Sequence, residues 1–225
     1  MTRELPLFPL PVVLFPGASQ ALHIFEPRYR QLLADCLDDD RRFGIVYVPP
    51  VENPAEAAVP SLGAVGCVAM IQSADRFPDG RGNILTEGER RFVLLDWVAS
   101  DRLYRVARVD EFDDDDEPAD AGQLVADVSR VYGQFAKLRA SLTDPSVDAP
   151  LELPADPTVL SFHVAAALEL EASEQLALLA ERSAAGRLRR LLALLGPMVV
   201  EAERHAAAQQ HARGNGRRQH IGRGS

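Results

Sequence analysis

ELPLFPLPVVLFPGASQALHIFEPRYR, residues 4–30, is the stretch whose reading decides the fold. Prolines 6, 9, 11 and 16 alternate with Leu, Val and Phe, and Gly17 follows the last of them. Proline has no N–H and fixes φ, so it sits at strand starts, edges and turns rather than in central strands. The stretch therefore predicts short apolar strands cut by tight corners. ALHIFE gives a further strand, and Glu26-Pro27 opens a helix, with Pro27 suited to the first helical position. Over 27–38, Tyr29, Leu32, Leu33, Cys36 and Leu37 recur at helical spacing and predict one buried stripe. Arg28, Arg30, Gln31 and Asp35 face outward, and Asp38, Asp39 and Asp40 end the helix as a solvated turn.

Outward from that core the strand signals continue. RFGIVYVP (42–49) is β-branched and aromatic, and residues 50–63 read as a proline-rich loop. AVGCVAMI (64–71) is apolar on both alternations, which predicts a strand buried on two sides. Phe77-Pro78-Asp79-Gly80 is a turn. NILTEGERRFVLLDWV (83–98) supplies two strands or one bent strand, with Gly88 at a bulge or corner. LYRVARVDEF (103–112) is the last strand. The first 112 residues thus predict six or seven strands and one helix.

The period changes after residue 112. DDDDEPADAG (113–122) reads as an acidic linker, and 123–205 as a helical bundle. Leu124, Val128, Val131, Phe135, Leu138 and Leu142 form a seam with steps of four and three. Pro145 to Pro157 is a break. Asp156 caps and Pro157 starts a helix through about Leu170. Ser173 caps a short helix, and Ser183 a long one with Leu188, Leu191, Leu192, Leu195, Val199 and Ala202 on one face. Gly196-Pro197 is expected to kink that helix. Residues 206–225, rich in Ala, Gln, Gly and Arg, read as a disordered basic tail.

These pieces resemble the N-terminal domain of Lon proteases. The likeness lies in the Pro-Leu-Phe-Pro-Leu start, the Phe-Pro-Gly corner, the Ile-Phe-Glu-Pro-Arg-Tyr junction, the Glu87-Gly88-x-x-Arg91 step and the Asp-Pro start of the helical half. It covers roughly residues 4–204. It implies an α+β fold: a small twisted β-barrel with one helix, related to PUA-type RNA-binding barrels, then a C-terminal α-helical bundle. It also implies contact with unfolded or aggregation-prone protein segments or with a protein partner, in an apolar groove near the barrel–bundle junction with a charged rim.

The machinery of a complete Lon is not legible. Lys137 is the only lysine and lies in GQFAKLRA, without the Gly-Lys-Ser/Thr step of a phosphate-binding loop. No glycine-framed serine partners it. The expectation is a non-enzymatic recognition module with no cofactor and no metal. Cys36 and Cys67 sit in apolar patterns and predict reduced core thiols, which suits the cytoplasm. No apolar run reaches the ~20 residues that cross a bilayer, and MTRELPLFP has no signal-peptide core.

Net charge is −9, unevenly spread. Residues 1–203 carry 19 basic and 33 acidic side chains, a net of −14, while residues 204–225 hold five arginines and no acid. An acidic body repels phosphate backbones. RNA binding through the arginine-rich tail is the alternative reading, by analogy with PUA barrels. His163, beside Val159, Phe162 and Ala166, is expected to be a partly buried structural histidine, and His23 to point outward. Interface hot spots favour Tyr and Arg. Arg28 and Arg30 are the candidate binding residues, and Tyr29 is assigned to the core.

Overall fold

The computed structural model describes residues 1–50, 59–115, 121–143 and 152–218. The expected acidic linker and the break after 143 fall largely outside these residues, as does the end of the tail. Two compact units emerge, Met1–Asp116 with Ser161–Ser183, and Glu117–Leu160 with Ala184–Ser225.

The first unit is built on six strands: β1 (Thr2–Leu10), β2 (Ser19–Ile24), β3 (Arg42–Tyr47), β4 (Val65–Arg76), β5 (Gly82–Val98) and β6 (Arg105–Phe112), with helix α1 (Pro27–Asp38) between β2 and β3. Their order is β2-β5-β4-β3-β1-β6, and β5 pairs with β6 as well. That extra pairing closes β5, β4, β3, β1 and β6 into a barrel and leaves β2 on the early half of β5. β1 and β3 run parallel, and the other pairs are antiparallel.

Closure needs one strand long enough to serve two neighbours, and β5 is that strand. It bends at irregularities in register. One separates Cys67/Arg91 from Ala69/Gly88, leaving an extra β5 residue. Another separates Leu94/Val109 from Asp96/Arg108. Such bulges add local twist and turn a strand around a corner.

Alternation then divides the apolar residues between two cores. Leu5, Leu7, Val46, Val68, Phe92, Leu94, Ala107 and Val109 fill the barrel. Phe8, Phe43, Ile45, Cys67, Ala69 and Ile71 join Tyr29, Leu32, Leu33 and Cys36 of α1 in the second. The double alternation of 64–71 is thus satisfied: one side lines the barrel and the other packs under the helix.

The proline reading needs a correction. β1 is one continuous nine-residue strand that contains Pro6 and Pro9, not short strands cut by corners. It pairs with β6 over Thr2–Leu7 and with β3 over Leu7–Leu10, so each half has a ladder on one flank only. A proline is tolerated where one flank lacks a partner. The corner comes later, at Gly17, where φ is +76°.

Both cysteines are buried free thiols. Burial, reinforced by Asp40, Asp35 and Asp39, pushes the Cys36 thiol up to about 12, and burial also pushes Cys67 up. Raised folded values make the sign definite. The thiols' contribution to stability is complete below the unfolded pKa of ~8.5 and is lost as pH rises toward the folded value. At pH 8 the native protein should therefore react with Ellman's reagent at least about a hundredfold more slowly than the chain in guanidinium, because the thiolate is the nucleophile. Equal rates would refute the burial.

Also in the first unit is helix α4 (Ala172–Ala180). It starts after Glu171, so Ser173 lies in its first turn and is not the cap that the sequence suggests. α3 (Pro157–Ala167) spans the boundary between units. Asp156 Oδ1 accepts from the Val159 N–H at 2.9 Å, the expected cap. His163 is exposed, contrary to expectation. The buried positions are Leu160, Ser161, Phe162, Val164, Ala165 and Leu168, whereas Val159, His163 and Ala166 share the other side of the helix.

The second unit contains α2 (Ala121–Thr143) and α5 (Ala184–Arg218), which pack together. In α2 the buried positions are Ala121, Val128, Tyr132 and Phe135, with Leu124, Val131, Leu138 and Leu142 half-buried. α5 begins just after Ser183, buries Leu188, Leu191, Leu195, Val199 and Ala202 as expected, and runs unbroken through Pro197. It also buries Arg187 completely, which no sequence pattern announced. Its helical assignment continues to Arg218, into the stretch read as a tail.

Candidate functional site

Two grooves lie side by side on the first unit. Both use the turn between β5 and β6 as a wall, since Val98, Ala99, Ser100, Arg102, Tyr104 and Val106 line both. Among the described residues, the lining of both grooves comes from Arg3–Val106.

The wall is pinned to α1 by side-chain chemistry. Leu103 N–H donates to Gln31 Oε1 at 2.8 Å, and the Tyr104 hydroxyl donates to Asp35 Oδ2 at 2.8 Å. Arg102 Nη1 donates to the Tyr104 hydroxyl at 2.9 Å and also binds Asp35. Burial and the bond to Asp35 push the Tyr104 phenol up, so it stays a donor across the physiological range. With its backbone fixed, the turn holds Leu103 out in solvent at 64% exposure. A single exposed apolar side chain is ordinary; Leu103 stands out because it also lines a groove with other apolar residues.

The first groove, of about 780 Å³, is polar. Its ionic lining is Arg3, Arg42 and Arg102 against Glu4, Asp35, Asp38, Asp39 and Asp40, a net of −2. The acidic turn of 38–40 is exposed, and Asp40 also lies 3.5 Å from Arg3 and 3.9 Å from Arg42. Among the described residues, no group of three or more His, Cys, Asp or Glu is placed to hold a metal ion.

The second groove, of about 720 Å³, is more apolar. Phe8, Leu10, Tyr29 and Val48 contribute from one side, and Trp97, Leu103 and Val106 from the other. Pro9, Pro11, Pro49 and Pro50 complete the lining. Proline-rich walls have fixed φ and little freedom to lose on binding, so the groove is pre-organised. Its charged rim is Glu26, Arg28, Arg102 and Arg105.

The structure places the two candidate arginines apart. Arg28 lies on this rim, 2.8 Å from Glu26, with its guanidinium 4.6 Å from the Tyr29 ring centroid. Arg30 lines neither groove. Its Nη1 donates to the Asp79 carbonyl at 2.6 Å and holds the turn between β4 and β5. Tyr29 is buried, with its ring 3.9 Å from that of Phe8, in keeping with its place on the buried stripe of α1. Burial pushes its phenol up.

Trp97, Leu103 and Arg105 were not picked out from the sequence. A signal existed. Trp97 is the only tryptophan, and Leu103 is a large apolar residue in an otherwise polar turn, ASDRLYR. His23, expected to point outward, is exposed, with Nδ1 2.7 Å from Asn83 Oδ1.

Comparisons with known proteins agree with this architecture. Lon protease 2 of Herpetosiphon aurantiacus is 29% identical over 212 residues, covering 92% of this chain and 26% of that protein. Lon protease 1 of Thermus thermophilus is 28% identical over 196 residues, covering 85% of this chain and 24% of that protein. The chain thus spans about a quarter of the length of these curated relatives. Among solved structures, a Lon N-terminal domain protein from Xanthomonas campestris superposes with a TM-score of 0.60 at 28% identity, covering 85% of this chain and 98% of that one. The N-terminal domain of a Mycobacterium avium complex Lon protease shares the fold, with a TM-score of 0.62 at 18% identity over 86% of this chain and 98% of that one. Residues 4–196 match the family model for the ATP-dependent protease La (Lon) substrate-binding domain, and the chain belongs to that family.

Proposed function

We propose that these 225 residues act as a non-enzymatic protein-recognition module that holds exposed apolar segments of other proteins in the groove walled by Trp97 and Leu103. The observation that carries this reading is the rigid display of Leu103 beside an apolar, proline-walled cleft in a member of a substrate-binding family. Arg28 is proposed as a rim contact. Arg30 would act through the β4–β5 turn it already holds. Lys137 is exposed on α2 and has no glycine-rich approach, so nothing in the reading requires nucleotide chemistry. The purified chain is expected neither to turn over ATP nor to cleave casein, and either activity would overturn the non-enzymatic part.

Leu103→Asp tests the groove. With the full chain and a labelled, permanently unfolded protein as probe, the substitution should weaken binding about tenfold, as expected for an apolar hot-spot residue. The side chain touches solvent, so stability should change by no more than about 0.5 kcal/mol. Unchanged affinity with unchanged stability would sink the assignment. Among the described residues no helix is long and apolar enough to cross a membrane, and a protein in the aqueous phase is the partner this reading requires.

A further inference from the structure

We infer that the segments accepted by this groove carry a carboxylate next to their apolar side chain, and that Arg105 is the residue that reads it. The inference rests on the proposed groove and names the chemistry of its occupant.

The rim charges are not equivalent. Arg28 is neutralised by Glu26 at 2.8 Å, and Arg102 by Asp35. Arg105 is exposed and, among the described residues, makes no ion pair or side-chain hydrogen bond. Its guanidinium instead lies over the Trp97 ring, 5.4 Å from the centroid. A guanidinium held over a ring by cation–π attraction keeps N–H donors for a second partner, and a carboxylate matches them in a two-point fork. The pairing thus sets one uncompensated cation beside an aromatic surface at the mouth of an apolar cleft. An aromatic or aliphatic side chain with an adjacent Asp or Glu satisfies both halves of that surface.

The wider field opposes an acidic ligand, so its attraction must be local. Across the turn, the first groove carries a net charge of −2 along its lining, and residues 1–203 carry −14. An acidic segment therefore gains nothing from the body of the protein. At physiological salt the body's repulsion decays over ~8 Å, whereas a contact pair at Arg105 persists. Phosphate backbones meet the same repulsion many times over, which favours a short acidic peptide over RNA as the occupant.

The experiment uses the full chain and three labelled peptides with one shared apolar core, flanked by Asp, Asn or Lys. Trp97 is the only tryptophan, so its fluorescence reports this site alone, and peptide anisotropy gives an independent Kd. At 0.15 M salt the Asp peptide should bind about fivefold more tightly than the Asn peptide, with the Lys peptide weakest, a size typical of one partly exposed charge pair. The ratio should shrink as salt rises. Arg105→Gln should bring the Asp-to-Asn ratio to one, and Arg105→Lys should keep only part of it, since an ammonium keeps the charge but lacks the fork, with melting temperatures confirming that both variants fold. Equal Asp and Asn affinities in the unaltered chain, or a ratio that survives Arg105→Gln, would overturn the inference and leave the groove itself standing. A uridine oligonucleotide that quenches Trp97 more strongly than the Asp peptide would overturn it in favour of nucleic acid. If no peptide binds at all, the recognition reading fails with it.

Discussion

Arg91→Met should lower the stability of the barrel unit by about 3–5 kcal/mol, the cost of breaking a buried ion pair from one side. Arg91 is 2% exposed, in a strand position that closes the Glu87-Gly88-x-x-Arg91 step, where nothing in the charged run itself announces burial. Its Nη1 donates to the carbonyl oxygens of Leu179 at 3.0 Å and Glu181 at 2.6 Å, and its Nη2 binds Asp114. Its guanidinium lies 4.5 Å from the Phe112 ring centroid and 5.1 Å from that of Phe162. One side chain thus satisfies the carbonyls at the end of α4, holds the acid that follows β6 and fills an aromatic box. Methionine replaces the volume but removes a donor that two carbonyls and a carboxylate, 10% exposed, now share. Urea unfolding followed at Trp97, which belongs to the same unit, measures the loss. Arg91→Met combined with Asp114→Asn should recover about 1–2 kcal/mol, because the stranded charge is gone. Arg91→Lys should fall between, since an ammonium lacks the fork and the flat face. A loss under about 1 kcal/mol for Arg91→Met would show that these contacts carry little weight.

The same arginine shows what a sequence displays and what it conceals. The stripe of α1 was legible because Tyr29, Leu32, Leu33 and Cys36 repeat at a period only one element type satisfies. The two-sided burial of β4 was legible for a similar reason. The continuous run of β1 through Pro6 and Pro9 was not, because what excuses a proline is a missing neighbour on one flank, and neighbours are a property of topology. The exposure of His163 was not legible, because Val159, Phe162 and Ala166 surround it with apolar side chains, whereas burial centres on Leu160, Ser161, Phe162, Val164, Ala165 and Leu168. Ser161 and Ala165 are small and carry little hydropathy signal. The groove was the least legible part. Phe8, Tyr29 and the pair Trp97 and Leu103 lie far apart in the chain, and only the closed barrel brings them to one cleft. Arg28 reached it because the helix start was readable. Arg105 did not stand out, because the Trp97 ring it lies over is eight residues away in the chain and only the fold brings the two together.

Gly88→Ala should cost about 3 kcal/mol or more, at the upper end of what overpacking a tight site costs. The glycine is not there for its φ. A Cβ at this position would stand 2.2 Å from the Phe15 carbonyl oxygen, 2.9 Å from the Phe15 carbonyl carbon and 3.1 Å from Cys67 Sγ. Two of those atoms are backbone, so no rotamer change relieves the contact. They cannot retreat freely either, because the corner is bonded to the same residue. Gly17 N–H donates to the Gly88 carbonyl at 2.8 Å, and Gly88 N–H donates to the Ala18 carbonyl at 2.9 Å. The Phe-Pro-Gly corner and the bulge of β5 therefore form one clamp, which joins the stretch quoted first to the strand that closes the barrel. Alanine must either open that clamp or push Phe15, 1% exposed, out of its place beside Phe162 at a ring-centroid distance of 6.2 Å. The measurement is the urea midpoint together with amide exchange. Protection should fall first at Gly17, Gly88 and the β2–β5 ladder, because the strain enters there, while the interior of the β1–β6 ladder keeps its protection until global unfolding. Gly17→Ala separates geometry from space. Its Cβ would meet nothing within 4 Å, yet φ is +76°, so the backbone penalty alone applies, of order 1–2 kcal/mol. The two alanines share the clamp and should combine non-additively. If Gly88→Ala proved milder than Gly17→Ala, the clamp would not be the fixed contact described, and the closure of the barrel would have to rest on the β5 bulges alone.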